Sequence, residues 1–241
     1  MGAEDRKSSI PAPRGALSRE VDRFLDRARR VPAVASDAST ARGRLLFCMD
    51  ATASREPTWD QARRIQGDMF VAAEKLGGLA VRLAFYRGFD EFKASEWVTG
   101  GVELARLMSR VDCLAGHTQI ARSLALAVDE ASTSRLHAMV LVGDAFEEEI
   151  ESVGPGAGKL GLLGVPVFAF QEGRDPAASR AFRQIARLSG GRHCAFDSAS
   201  PDELRRLLGA VAAYASGGAA AMNEYARLHG GAARRLLDQR G

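Results

Sequence analysis

Asp50, Thr52 and Ser54 stand at alternate positions directly after the apolar run Leu45-Leu46-Phe47-Cys48-Met49. In a turn leaving a strand, alternate side chains point into one crevice, so this spacing delivers one carboxylate and two hydroxyls to a single point. Thr118, in Gly116-His117-Thr118-Gln119-Ile120 at a predicted helix start, adds a third hydroxyl. Asp144, in Leu141-Val142-Gly143-Asp144, adds a second carboxylate. These are five hard oxygen donors from three loops. Mg2+ (or Mn2+) takes such oxygens in near-octahedral geometry and tends to keep waters, so the set leaves coordination positions open.

Taken singly, each residue has a plainer reading: Asp50 as a turn residue, Thr118 as a helix cap, Asp144 as another cap, all locally satisfied. Three such matches in one order, on one edge of a sheet, carry more than any one of them. The pattern D-x-T-x-S, then G-x-T-x-I, then a hydrophobic residue followed by G-D, resembles the von Willebrand factor type A (VWA) domain of the stand-alone bacterial kind. The likeness extends to that family's metal-ion-dependent adhesion site (MIDAS), usually D-x-S-x-S, Thr, Asp, and covers residues 42–216. The resemblance implies that Asp50, Thr52 and Ser54 hold the metal, that Thr118 joins them in the ligand-competent state, and that Asp144 binds directly or through water. It also implies that a carboxylate from a partner protein completes the shell. The chain departs from the pattern in two places: Thr52 stands for the more frequent Ser, adding a stiff methyl branch, and Ala145 stands where Gly is common. Glu147-Glu148-Glu149 follows. Glu147 or Glu148 is then either an internal occupant of the open position or part of a solvated acidic helix start.

Two rival readings of the same residues predict other chemistry. A phosphohydrolase of the haloacid dehalogenase type would use Asp50 as its nucleophile and Gly143-Asp144 with Glu148 as its late acidic motif. Most such hydrolases need a second Asp at position 52 and a Ser or Thr ending an apolar strand, and Thr118 follows Asp-Cys-Leu-Ala-Gly-His instead. A scaffold with a degenerate metal site would bind through an N-terminal helix instead. Gly154-Pro-Gly156-Ala-Gly158-Lys159-Leu160 has three residues where a nucleotide loop has four, and Leu160 where it has Ser or Thr, so it reads as a flexible turn. His117, beside the proposed site, reads as a surface residue. His137, His193 and His229 are too scattered for a zinc site. Trp59 and Trp97 are candidates for flanking the crevice, the first more simply as a helix-start packing residue. No nucleophile with an adjacent base is visible, so a non-enzymatic module is expected.

The elements that must position these residues alternate. Strands are expected at 44–50, 79–86, 91–98, 137–142, 165–170 and 193–196. Helices are expected from Thr58 to Leu76 before Gly77-Gly78, over 101–110, from Thr118 through Val128, from Asp175-Pro176 to Gly190-Gly191, and from Ser200-Pro201 through Tyr214. Continuous apolar strands of this kind predict an α/β, doubly wound, mostly parallel Rossmann-like sheet with helices on both faces. The ligand crevice of that architecture lies beyond the carboxyl ends of the strands, where Asp50 and Asp144 fall.

The 241 residues divide into an N-terminal amphipathic helix and linker (1–41), carrying Leu17, Val21, Phe24, Leu25 and Ala28 on one face, then a VWA-like domain (42–216), then a C-terminal helical tail (217–241) expected to be peripheral. The net charge of +3 belongs to the ends: residues 1–30 carry +3, residues 219–241 carry +2, and the body between carries −2. The body therefore offers no basic stripe to nucleic acid. No apolar run approaches the roughly 18 residues of a bilayer span. The opening stretch has no apolar leader core, and three well-separated cysteines fit reduced thiols, so the expected compartment is the cytoplasm.

Overall fold

The computed structural model describes residues 43–60, 64, 79–99, 101–196 and 201–229. The expected helix at Leu17–Ala28, the linker after it, most of the helix expected after Thr58 and the expected cap at Ser200 lie outside the described residues.

Six strands form one sheet: β1 (Arg44–Asp50), β2 (Ala80–Arg87), β3 (Glu91–Val98), β4 (Ala138–Gly143), β5 (Val167–Glu172) and β6 (Arg192–Phe196), in the spatial order β3-β2-β1-β4-β5-β6. Every neighbouring pair is parallel except β2 and β3, an antiparallel hairpin closed by Gly88-Phe89-Asp90, with Gly88 at φ 61° supplying the left-handed turn. Between the strands run α1 (Gly101–Met108), α2 (Ile120–Thr133), α3 (Ile150–Leu162) and α4 (Pro176–Ser189), and α5 (Pro201–His229) follows the last strand. The order reverses at β1, which pairs with β2 on one side and β4 on the other, so the loops after β1 and β4 diverge and open a crevice between them.

The strands read as unbroken apolar runs because both sheet faces are covered. Leu45, Phe47 and Met49 point to one side and share a core with Leu104 and Met108 of α1 and Leu207, Leu208 and Val211 of α5. Leu46 and Cys48 point to the other and pack with Ile120 and Leu124 of α2, Val153 and Leu160 of α3, and Phe182 and Ile185 of α4. Each such fully buried side chain contributes roughly 1.5–3 kcal/mol by leaving water. Helix α4 is delimited as its sequence signals require. Asp175 caps it by accepting the Ala178 N–H at 2.7 Å, Pro176 occupies the first turn, and Gly190 ends it at φ 73°.

Two local expectations are corrected. The glycine-rich stretch from Gly154 to Leu160 is not a flexible turn but the middle of α3. A Cβ at Gly156 would come within 2.9 Å of the Leu124 Cβ, and one at Gly161 within 2.2 Å of the Leu188 carbonyl oxygen. The glycines let α3 lie close against α2 and α4, and Pro155, which removes one helical hydrogen bond, faces solvent. At the other end of the domain, α5 kinks at Gly217 and Gly218, where the backbone leaves helical values, and then continues. Beyond that kink, in the stretch expected to be peripheral, Met222 and Ala226 are buried in the same cluster as α1.

Candidate metal centre

β1 ends in the crevice at Asp50, whose carboxylate is fully buried. The chain then turns through a short 3-10 segment, Ala53–Arg55. The Thr52 backbone N–H and hydroxyl both donate to Asp50 Oδ1, at 2.7 and 2.6 Å. Thr52 Oγ1 also lies 3.1 Å from Ser54 Oγ. A hydroxyl has one proton, so with that of Thr52 committed to Asp50, Ser54 is the donor to Thr52. The other carboxylate oxygen, Oδ2, accepts from the phenol of Tyr86 at 3.1 Å. Tyr86 is the register partner of Asp50 on β2. Asp50, Thr52 and Ser54 are thus brought together as one hydrogen-bonded group.

Asp144 follows β4 at Gly143. A Cβ at Gly143 would sit 3.3 Å from the Asp50 Cβ and 3.5 Å from its Oδ2, so the glycine lets the two strand ends close up around the carboxylate. Asp144 Oδ1 is buried without a hydrogen-bond partner. Burial pushes the Asp50 carboxyl up to about 6, and the charge of Asp144 adds to the rise, while the bonds from Thr52 and the charge of Arg55 oppose it. An unpartnered buried carboxylate oxygen beside a second buried carboxylate costs free energy that a cation would recover. Among the described residues no group of three or more His, Cys, Asp and Glu is placed to hold a metal. The donors on offer are instead two carboxylates and hydroxyls, a set of hard oxygens that fits Mg2+ or Mn2+ and not a thiolate or imidazole site.

Thr118 is buried in the loop before α2, and its link to the others runs through the segment after Asp144. Its N–H donates to Glu147 Oε2 at 3.2 Å, and its hydroxyl accepts the Glu147 N–H at 3.0 Å. Glu148 reaches further and accepts the N–H groups of Ile120 and Ala121, the second at 3.0 Å. These contacts are additional to both alternatives expected for the glutamates. Glu148 caps the amino end of α2 from another loop, and Glu147, its side chain about half exposed, clasps the Thr118 loop. The Thr118 loop is fixed on its other side too. A side chain at Gly116 would fall 1.9 Å from the Gly88 carbonyl oxygen, and His117 N–H donates to that oxygen at 3.1 Å. The His117 ring is exposed and meets Phe89 edge-on.

Trp59 is buried and donates its indole N–H to the Val111 carbonyl at 2.7 Å, a packing role. Trp97 lies at the opposite edge of the sheet, under the Arg44 guanidinium, and does not flank the crevice. His193 is a buried partner of Gln171, and His137 accepts the Arg44 N–H. Sequence reading missed three residues. Tyr86 had a findable signal, since it ends the strand beside Asp50. Arg55 and Glu172, 117 positions apart, had none: they form a buried ion pair, Arg55 Nε and Nη2 donating to Glu172 Oε2 at 3.1 and 3.0 Å, while Arg55 Nη1 donates to the Asp50 carbonyl at 2.8 Å.

No protein-family model and no curated protein matches the sequence. Solved structures do. A von Willebrand factor type A protein from Catenulispora acidiphila superposes with a TM-score of 0.58 at 14% identity, over 72% of this chain and 43% of that one. The fold is VWA-like. Proximal thread matrix protein 1 from the mussel byssus, in a form described as having a zinc-occupied MIDAS motif, gives a TM-score of 0.57 at 15% identity over 72% of this chain and 46% of its own. An aerotolerance-related membrane protein from Bacteroides fragilis gives 0.54 at 12% identity over 69% of this chain and 98% of its own. The chain thus spans less than half the length of the first two VWA-like structures. Among its described residues no helix is long and apolar enough to cross a membrane.

Proposed function

We propose that this chain is a non-enzymatic interaction module that binds a divalent cation, Mg2+ or Mn2+, through Asp50, Thr52, Ser54, Thr118 and Asp144, and uses it to capture an acidic side chain of a partner protein. The observation that carries the reading is the buried, unpartnered Asp144 Oδ1 beside the fully buried Asp50. The mussel protein with its zinc-occupied MIDAS motif, on the same fold, supports it.

Two carboxylates balance one divalent charge, and the remaining donors are neutral hydroxyls. A cation held this way stays electrophilic and attracts a further carboxylate from outside. The chain's own residues supply the orientation. The two Thr52 bonds hold Asp50 Oδ1, Tyr86 holds Oδ2, and the bonds of Glu147 and Glu148 hold the Thr118 loop and the start of α2. The absence of a second Asp at position 52 and the full burial of Asp50 weigh against its use as a phosphoryl-accepting nucleophile. No disulfide joins the three cysteines, which supports a reducing compartment such as the cytoplasm.

Calorimetric titration of the metal-free protein with Mn2+ is expected to give a single site. Mg2+ at about 100 times its dissociation constant is expected to add about 2.7 kcal/mol of stability, and Asp50→Ala to abolish that gain. A pull-down should retain the partner with Mg2+ and lose it with chelator. Mn2+ titration without heat, or an Mg2+-induced melting shift that survives Asp50→Ala, refutes the reading.

A further inference from the structure

The Arg55–Glu172 pair stands directly behind the proposed metal loop. Arg55 follows Ser54 in the 3-10 turn and is 1% exposed, and its ring-side neighbour is Trp59, with the guanidinium 5.4 Å from the indole centroid. Its five N–H groups form a planar fork. Two of the three nitrogens grip one oxygen of Glu172 at the carboxyl end of β5, and the third binds the backbone carbonyl of Asp50. The Arg55 N–H meanwhile donates to the Thr52 carbonyl at 3.1 Å. One residue thus ties the last position of β1 and the turn that presents Thr52 and Ser54 to the end of a strand two places away in the sheet.

Buried ion pairs of this kind give little net stability compared with well-packed apolar residues of the same volume. What the pair distinctively supplies is geometry and charge balance. Arg55 and Glu172 cancel each other, so the guanidinium is not spent on the side chains of Asp50 and Asp144, whose carboxylates remain available to a divalent ion. Neither residue is offered as a ligand: the guanidinium is a cation, and the Glu172 oxygen that it grips is spent on that contact.

We infer that Arg55, anchored on Glu172, is a positioning residue for the divalent cation: it fixes the Asp50-to-Ser54 turn in the geometry that the ion requires, without touching the ion. The inference rests on the metal-binding reading above.

The test is Mn2+ affinity by calorimetry, read beside the melting temperature of the same metal-free protein. Arg55→Lys keeps the charge and a contact to Glu172 but lacks the fork needed to hold the Asp50 carbonyl at the same time. It is expected to weaken Mn2+ binding about 10- to 100-fold, the range found when residues that orient metal ligands are changed. The double variant Arg55→Met with Glu172→Met replaces the pair by apolar side chains. Its metal-free melting temperature is expected to match or exceed that of the unaltered protein, with the same loss of Mn2+ affinity. A purely structural pair predicts the reverse pattern. If either variant folds and binds Mn2+ as tightly as the unaltered protein, the positioning role is overturned while the metal site stands. If the unaltered protein itself gives no heat with Mn2+, the metal reading falls and the inference falls with it.

Discussion

The two ends of β1 carry buried or half-buried carboxylates in opposite states of completion. At the amino end, Glu130 of α2 meets Arg82 with one oxygen, and with the other meets Arg44 at 3.3 Å and the indole N–H of Trp97 at 3.1 Å. Arg44 also stacks over Trp97 at 3.9 Å and donates to Ser134, and Arg82 donates to the Ser95 carbonyl at 2.8 Å. At the carboxyl end, the side chain of Asp50 receives only hydroxyls and one amide, and Asp144 Oδ1 receives nothing. The first cluster is a finished structural joint in which cations outnumber anions. The second holds an excess of negative charge that the described protein groups do not neutralise. A polar centre that serves the fold closes upon itself, and one that serves a ligand is left short by the ligand's own charge.

The contrast can be broken most forcefully at Glu130. Glu130→Ala strands two guanidiniums that are only about a quarter exposed, and it is expected to cost about 3 kcal/mol in urea denaturation, the low end for breaking a buried pair. Mn2+ affinity should not change. Asp144→Ala inverts that outcome. Removing an oxygen that lacks a donor should leave metal-free stability unchanged or raised, while the gain of about 2.7 kcal/mol at 100-fold excess of Mg2+ over its dissociation constant disappears. If Asp144→Ala instead destabilises the metal-free protein as Glu130→Ala does, the two ends do not differ in kind.

A smaller effect separates the ends by pH. Burial, with the charges of Arg135 and Arg44, holds the His137 imidazole below its ordinary value of 6.5. The neutral ring accepts the Arg44 N–H at 2.9 Å. Below about pH 6.5 the unfolded chain therefore takes up the proton first, and stability falls as pH falls through the imidazole range. Buried His193, lowered to about 4, and Asp50, raised to about 6, also shift stability over this range, so the difference between variants is the readout: from about pH 7.5 to 5 the urea midpoint of His137→Gln, which retains an acceptor without a titration, should drop less than that of the unaltered protein.

Much of this arrangement could be read from the chain because its determinants are local. The apolar runs ending at Asp50 and Gly143 specify buried parallel strands, and strand ends in such sheets define a crevice. Alternation after β1 likewise accounts for Thr52 and Ser54 meeting Asp50. What escaped reading depends on partners far off in sequence. Glycine and proline disfavour a helix at 154–158, yet helix packing against Leu124 and Leu188 overrides that preference. The uses of Glu147 and Glu148 depend on a loop some 28 residues earlier, and no spacing rule pairs Arg55 with Glu172.

The placement of Asp50 at the end of a central strand also sets how the domain would bear force. Under the proposed function, a tug on a partner held at Asp50 would run along β1, which is laddered to parallel partners on both sides, β2 and β4. Load in that direction shears two rows of hydrogen bonds together. The same pull along the edge strand β3, paired on one side only, would meet a single row of hydrogen bonds. The proposed site therefore lies at the end of a strand that two neighbouring strands hold against being drawn out.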